Sequence, residues 1–373
     1  MPGSAEVPCS PTILHTESST GWGGQEVRIL TEAGWLREEG WHVALAGQPR
    51  SPILAEAARR GMDVVPMRMR GPWDLTAVAT LAAVAARRRV GLIHTHSSVD
   101  AWLGGMAARL SRIPVVRSRH VSIPIRARWN PVYALLADRV VTSGEAIRRL
   151  VLDTGVSPAK VVAVPAGVDL DAFGPGPGGD RLRAELGLSG PVIGSVAMFR
   201  GSKGHAHLLE AFDLVRREFP TAHLLLVGDG PRRPEIERLA RDRGLSAAVH
   251  FTGFRRDVPD LLRALDCFTL ASTKTEGVPQ SLLQAFATEV PVVASAIGGI
   301  PEVVADDVTG ILVTPGDPAA LARGLVTTLR EPEAARRRTK AARQLVETRF
   351  SRALAIRRVI AVYEELLLSA RAR

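Results

Sequence analysis

Short, continuously apolar runs alternate with longer helical stretches along this chain, and that alternation limits the fold more than any other feature. In the first half the runs are Thr12–His15, His42–Ala46, Asp63–Pro66, Leu92–Thr95, Pro114–Arg117, Arg139–Thr142 and Val161–Val164. Helical stretches such as Gln25–Glu39, Leu75–Ala86, Ala101–Leu110 and Glu145–Leu152 separate them. A strand with one wet face would alternate apolar and polar residues. Runs that are apolar throughout predict strands covered on both faces, and the intervening helices predict parallel crossovers. The expected fold class is therefore α/β, with a doubly wound parallel sheet.

The alternation stops at Phe173-Gly-Pro-Gly-Pro-Gly-Gly179, a segment that neither a helix nor a central strand can hold. It restarts with Val192–Met198, His223–Val227, Val249–Thr252, Cys267–Leu270, Pro291–Ala294 and Gly310–Val313. Gly204–Glu218, Pro234–Arg243 and Ser281–Ala287 read as helices between them. A chain of 373 residues has the length of about two domains. The expected organisation is an N-terminal domain over 1–174, a linker over 175–189, a C-terminal domain over 190–350, and a helix over 351–373 that packs back on the body. That helix is basic and amphipathic, with Leu354, Val359, Tyr363 and Leu367 near helical spacing.

Composition excludes several classes. Cys9 and Cys267 are the two cysteines, which rules out a disulfide framework and fits a reducing cytosol. Met1–Ser10 lacks the basic and apolar regions of a signal peptide, and the Ala-rich Leu75–Ala86 is far shorter than the ~20 residues a membrane span needs. The net charge is +10, but about 20 basic and 15 acidic residues already precede Phe173. An excess spread over both halves argues against a nucleic-acid arm, and no basic helix or aromatic platform supports one. Anionic small molecules or an anionic membrane surface remain as partners. Arg117, Arg119, Arg126 and Arg128 surround Val121, Ile123 and Ile125, with Trp129 following. Such a loop suits a lipid interface or, equally, a segment packed on the core. The expected location is cytoplasmic, with a peripheral position at the inner face of the membrane left open.

Ligands of open α/β sheets bind beyond the carboxyl ends of the strands, so two facing sheets would leave a cleft lined by the loops after them. The first loop, Glu17 to Glu26, contains Gly23 and Gly24 before a helix, where backbone amides can approach an anion. It is neither a dinucleotide fingerprint nor a P-loop. In a second loop, Arg200 and Lys203 precede a helix start and form a plausible diphosphate clamp. In a third, Glu276 precedes Pro279, Gln280, Ser281 and Gln284. Pro279 suits a first helical turn, the next amides are free for an anion, and a carboxylate can accept from hydroxyls. Gly228-Asp-Gly-Pro231 and Gly298-Gly-Ile-Pro301 are strand-to-helix turns that serve structure or function equally well. His94, His96 and His120 lie at strand ends, as structural bond donors or as catalysts. They lack HExxH or CxxC companions, and Asp169-Leu-Asp171 matches a metal motif in letters alone, so no metal is expected. No serine or cysteine nucleophile with a nearby base stands out.

Taken together, these motifs resemble the retaining glycosyltransferases of family 4, which have two Rossmann-like domains in the GT-B arrangement. The resemblance runs from about Thr12 to the C-terminus. It rests on Gly-Gly-Gln-Glu at 23–26, Val-Pro-Ala-Gly-Val-Asp at 164–169, Arg200 with Lys203-Gly204, Val-Gly-Asp-Gly-Pro at 227–231, Phe-Thr-Gly-Phe at 251–254, Thr-Glu-Gly-Val-Pro-Gln-Ser-Leu-Leu-Gln at 275–284, and Gly-Gly-Ile-Pro-Glu at 298–302. His94–Leu103 and Arg117–Ser122 resemble a bacterial subgroup that assembles lipopolysaccharide or other surface glycans.

The resemblance implies a nucleotide-sugar donor, a glycan or glycolipid acceptor and metal-independent catalysis. It gives the donor diphosphate to Arg200 and Lys203, with Gly24 near that phosphate. Gly253, Phe254 and Arg255 would meet the nucleobase, Glu276 the donor sugar hydroxyls, and the backbone at Gln280 and Ser281 the phosphate. His120 would lie near the reacting carbon. Two departures stand out. The family places a second Glu where this chain has Gln284, so one ribose hydroxyl meets a donor instead of an acceptor. The Arg-to-Lys spacing is three, where the family more often has five. Rival readings are a nucleotide-sugar 2-epimerase on the same fold, motivated by the shared architecture, and an inactive nucleotide-sugar-binding homologue, motivated by Gln284.

Overall fold

The computed structural model describes residues 11–120, 123, 125, 130–274 and 276–372. The chain divides into two compact units, 1–165 with 355–373, and 166–354. Each is built on a wholly parallel sheet.

The first unit holds β1 (Thr12–Glu17), β2 (Val43–Gly47), β3 (Asp63–Pro66), β4 (Val90–Thr95), β5 (Val115–Arg119), β6 (Arg139–Thr142) and β7 (Val161–Ala163), in the order β3-β2-β1-β4-β5-β6-β7. Neighbouring residues of one strand serve different cores. Ile13 packs into the cluster on one face with Ile29, Leu36 and Leu92, while Leu14 packs into the other with Leu81, Ile93 and Leu103. Both are fully buried, which is why neighbouring positions of the strand are both apolar instead of alternating with polar ones. Each such side chain contributes roughly 1.5–3 kcal/mol.

The second unit holds β8 (Val192–Val196), β9 (His223–Val227), β10 (Val249–Gly253), β11 (Cys267–Leu270), β12 (Val292–Ser295) and β13 (Ile311–Val313), in the order β10-β9-β8-β11-β12-β13. The same division recurs: Leu224 and Leu226 face one cluster, and Leu225 and Val227 the other. In both sheets the chain builds outward in one direction and then crosses back to start the other side. The reversal falls between β1 and β4 and between β8 and β11.

Two boundaries differ from the expected ones. The Gly/Pro segment does not separate the units, and residues 175–189 are not a linker. Arg263 donates to the carbonyls of Ala172 and Gly174, and Arg343 to that of Phe173, which fixes the segment to the second unit. A Cβ at Gly179 would stand 2.3 Å from the Arg263 carbonyl oxygen, so glycine allows the close approach, and Gly179–Leu186 is itself a helix. The division comes earlier because Ala166 and Val168 are already buried in the second unit, where Val168 pairs with Ser351.

The C-terminal helix Arg352–Arg371 belongs, from Ala355 onward, to the first unit. Ile356, Val359, Val362, Tyr363 and Leu366 complete the cluster around Ile13. Ile356→Ala should therefore cost about 2–5 kcal/mol in denaturant unfolding, although it lies close to the chain end. An appended helix would give almost none of that loss.

Candidate active site

Strand order places the chemistry. At a switch point the loops after two adjacent strands run to opposite sides and leave the strand ends uncovered. In each unit a group of the chemical residues collects there, while residues 253–255 lie at the end of the edge strand β10 and His120 follows β5.

In the second unit the loop after β8 carries Arg200 and the short 3₁₀ turn Gly201–Lys203, followed by the helix His205–Glu218. Arg200 is exposed, and its guanidinium has no protein partner among the described residues. The loop after β11 brings Glu276 to the same place. Lys203 Nζ lies 2.6 Å from Glu276 Oε1, which also accepts from Ser272 Oγ at 2.7 Å. Both partners of the ion pair are part-buried. The Thr273 amide donates to the Ser202 carbonyl at 2.9 Å, tying the loops together.

Glycines allow this meeting. Gly204 has φ +67, and a Cβ there would come within 1.8 Å of the Ala271 carbonyl oxygen. A Cβ at Gly298, φ +62, would strike the backbone of Glu276 at 2.4 Å. The Gly228–Pro231 turn is a brace: Phe199 donates its amide to the Asp229 carbonyl at 3.0 Å, and Arg232 to that of Phe199.

Gln280 and Ser281 open the helix Gln280–Ala287. Pro279 stands just before it, with extended ψ 127, and not within its first turn. The amides of Leu282 and Leu283 reach back to the Pro279 carbonyl, whereas those of Gln280 and Ser281 precede any intrahelical acceptor. Gln284 lies four residues into the helix and is half-buried. Gly253 ends β10 with φ +69, and Phe254 beyond it is 48% exposed. Arg255 is held by Asp257 through two hydrogen bonds, so the turn presents backbone and the Phe254 ring.

In the first unit Gly24 begins the helix Gly24–Glu38, and a Cβ there would meet nothing within 4 Å. His120 follows β5 and is part-buried, its Nε2 3.0 Å from His96 Nδ1. Burial, then Arg28 and Arg117, hold its pKa well below the usual range, so it is neutral.

Around it lie residues whose part was not foreseen. Glu17 ends β1 fully buried, accepting from the Ser19 amide and from Gln25 Nε2. Asp100 accepts from the His96 and Ser97 amides and from Thr16, Ser18 and Ser97 hydroxyls. Ser97-x-x-Asp100 is a capping-box pattern readable in the sequence. His15, His94 and His96 bring ligand atoms within 4.8 Å of one another, a grouping with metal-binding chemistry that their spacing concealed. Each ring nitrogen of the three already has a hydrogen-bond partner.

Of the two readings left open for the stretch from Arg117, packing on the core holds for its first two arginines. Arg117 and Arg119 lie on β5, 5% and 8% exposed, and Arg119 donates to the Tyr133 hydroxyl at 2.7 Å. Strand pairing continues through them, so they cannot present charge to a lipid. Val121, Arg126, Arg128 and Trp129 lie outside the described residues, as does Met1–Ser10. Among the described residues no helix is long and apolar enough to cross a membrane.

Two Rossmann-like parallel-sheet units, with cations and helix starts at the switch point of the second, define the GT-B class of transferases. The sequence matches the family described as Glycosyl transferases group 1 over residues 180–345 and that described as Glycosyltransferase Family 4 over residues 22–172. A 2-deoxystreptamine glucosyltransferase of Streptomyces kanamyceticus is 29% identical, covering 91% of this chain and 97% of that protein. A D-inositol 3-phosphate glycosyltransferase of Kineococcus radiotolerans is 32% identical over 69% of this chain and 67% of the relative. An Escherichia coli UDP-Gal:alpha-D-GlcNAc-diphosphoundecaprenol alpha-1,3-galactosyltransferase is 27% identical over 68% and 70%. Among solved structures, Anabaena HepE in complex with UDP and glucose superposes with a TM-score of 0.86 at 22% identity, over 95% of this chain and all of that one. The chain belongs to glycosyltransferase family 4, and it is an enzyme that transfers a sugar from a donor to an acceptor.

Glu17 yields a pH prediction. Burial first, and then the charge of Asp100, push its pKa up to about 7. Between the ordinary carboxylate range and pH 7 the folded state thus binds a proton that the unfolded state has released. Stability then falls as pH rises through that window. Glu17→Gln removes the effect. Relative to wild type, the variant should gain roughly 2 kcal/mol between pH 5 and 8 in denaturant unfolding. A difference that stays flat or shrinks would place Glu17 in water.

Proposed function

We propose that this glycosyltransferase takes its sugar from a nucleoside-diphosphate donor and attaches it to a glycan or glycolipid hydroxyl, with retained configuration, in surface-glycan assembly. The observation that carries the reading is the meeting of Lys203, Glu276 and Ser272 in the loop that leads into the helix Gln280–Ala287, whose first amides, of Gln280 and Ser281, have no intrahelical acceptor. A cation, a carboxylate and a helix start suit a ligand with a diphosphate at one end and sugar hydroxyls at the other. Glu276 holds the ammonium until the donor arrives; Lys203 then turns to phosphate and Glu276 accepts from hydroxyls.

Charge develops on the departing diphosphate. Arg200, Lys203 and the helix start would neutralise it, so the reading calls for no metal ion. Retention is drawn from the family, in which the departing phosphate helps remove the acceptor proton. Gly24 and His120 take the donor phosphate and the reacting carbon on the same warrant. The relative named for galactosyl transfer to a lipid diphosphate and the neighbour solved with UDP support a nucleotide donor and a lipid-borne acceptor.

Arg200→Ala combined with Lys203→Ala should lower kcat/KM for the donor by about 10²–10³-fold. Turnover near wild type at subsaturating donor would reject the clamp. Gln284→Glu tests the departure from the family pattern. Two carboxylate oxygens can accept from two vicinal hydroxyls, so donor KM should fall about fivefold. A rise in KM would place the ribose elsewhere.

A further inference from the structure

Four histidines, one tyrosine and one serine of the first unit form a continuous buried chain. His120 Nε2 meets His96 Nδ1 at 3.0 Å, and His96 Nε2 meets His15 Nδ1 at 2.9 Å. His15 Nε2 is 3.5 Å from the Tyr363 hydroxyl, which is 2.5 Å from His94 Nδ1. His94 Nε2 ends the chain at Ser118 Oγ, 2.7 Å away. Five members are almost wholly buried, and His120 is part-buried at the open end. The rings also stack: His15 on His96 at 5.1 Å between centroids, and His96 on His120 at 5.3 Å.

A neutral imidazole carries one N–H and one bare nitrogen. Each link needs one donor and one acceptor, so the choice at one link dictates the next. Tyr363 makes the first choice, because it has one hydroxyl proton and two imidazole neighbours. Its contact to His94 is 2.5 Å, a length that suits an O–H donor better than an N–H one, while that to His15 is at the outer limit. The proton therefore sits toward His94 Nδ1, and His94 donates from Nε2 to Ser118. His15 faces the phenol oxygen and can only donate to it, from Nε2. Its Nδ1 is then bare, so His96 must donate from Nε2. By the same step His120 must donate from Nε2, which leaves its Nδ1 bare.

We infer that His96, His15, Tyr363, His94 and Ser118 are positioning residues that fix His120 as the Nε2–H tautomer, with Nδ1 as the hydrogen-bond acceptor it offers. The chain has no exit for a proton, since Ser118 is buried. It therefore orders His120 without acting as a conduit. Burial lowers the pKa of all four histidines, and for His94, His96 and His120 the charges of Arg28 or Arg117 add to it, which keeps the rings neutral as the accounting requires. A metal ion on His15, His94 and His96 would need bare nitrogens that the chain has already used. What this means for catalysis rests on the role proposed for His120; the tautomer itself does not.

The test is long-range proton–nitrogen NMR of the full chain labelled with nitrogen-15 histidine at pH 7, without substrate. All four rings should be neutral with the proton on Nε2. Ser118→Ala strands the His94 Nε2–H. His94 should turn to Nδ1–H and donate to Tyr363, whose proton then passes to His15, so the whole chain reverses. His120, at the far end, should move its proton to Nδ1, and kcat should fall about tenfold or more, with donor KM within about twofold. Tyr363→Phe, should Ser118→Ala not fold, leaves the direction unset and should give mixed tautomers at His15, His96 and His120. Wild-type His120 protonated on Nδ1, unequal tautomers along the chain, variants that leave His120 unchanged, or a stoichiometric divalent metal in the purified protein would each overturn the inference. The expected NMR shifts with unchanged kcat would leave the chain standing and remove His120 from the reaction.

Discussion

Reversal of strand order is the constraint from which the chemistry of both units follows. A parallel sheet covered on both faces must send successive crossovers to one side and then the other. Where the direction changes, two neighbouring strands end with nothing laid across them. In the first unit these are β1 and β4, which deliver His15, Glu17, His94 and His96. In the second they are β8 and β11, whose loops deliver Arg200, Lys203 and Glu276. Apolar packing along the strands makes those ends rigid enough to hold charged groups in place.

The two switch points are different electrostatic environments. In the second unit, Lys203 and Glu276 are opposite charges in contact, partly open to solvent, and able to exchange each other for a ligand. In the first, burial dominates. It raises the carboxyls of Glu17 and Asp100 and lowers the histidines, so each group is pushed toward neutrality. Hydrogen-bond direction carries the information there, and a hydroxyl on the C-terminal helix takes part in it. That helix thus fills the first unit's core and touches its polar centre with one residue, Tyr363.

Legibility in the sequence followed range. Strands such as His223–Val227 and Cys267–Leu270 were readable because burial on both faces makes their run almost wholly apolar, while the edge strand Asp63–Pro66 showed through its two valines between exposed ends. Glu276 and Lys203 were readable because each lies just after such a run, although nothing local announced that they would touch across 73 residues. The Gly/Pro segment misled, because composition reveals that a segment is neither helix nor strand but not that Arg263 and Arg343 will hold its carbonyls. Arg119 stayed undecided between a lipid-facing and a core-packed position for a related reason. Charged residues at a strand end look like a wet loop until register with β6 carries the pairing through Arg119.

The residue pattern by itself determined two parallel α/β sheets, their strand ends, and the cations and glycines that follow them, because each depends on neighbours a few positions apart. Only the tertiary structure decided that His15, His94, His96 and Tyr363 share one buried chain, that Lys203 pairs with Glu276, and that the last helix completes the first unit. Those relations join residues tens to hundreds of positions apart, and sheet order, which no local pattern encodes, brings them together.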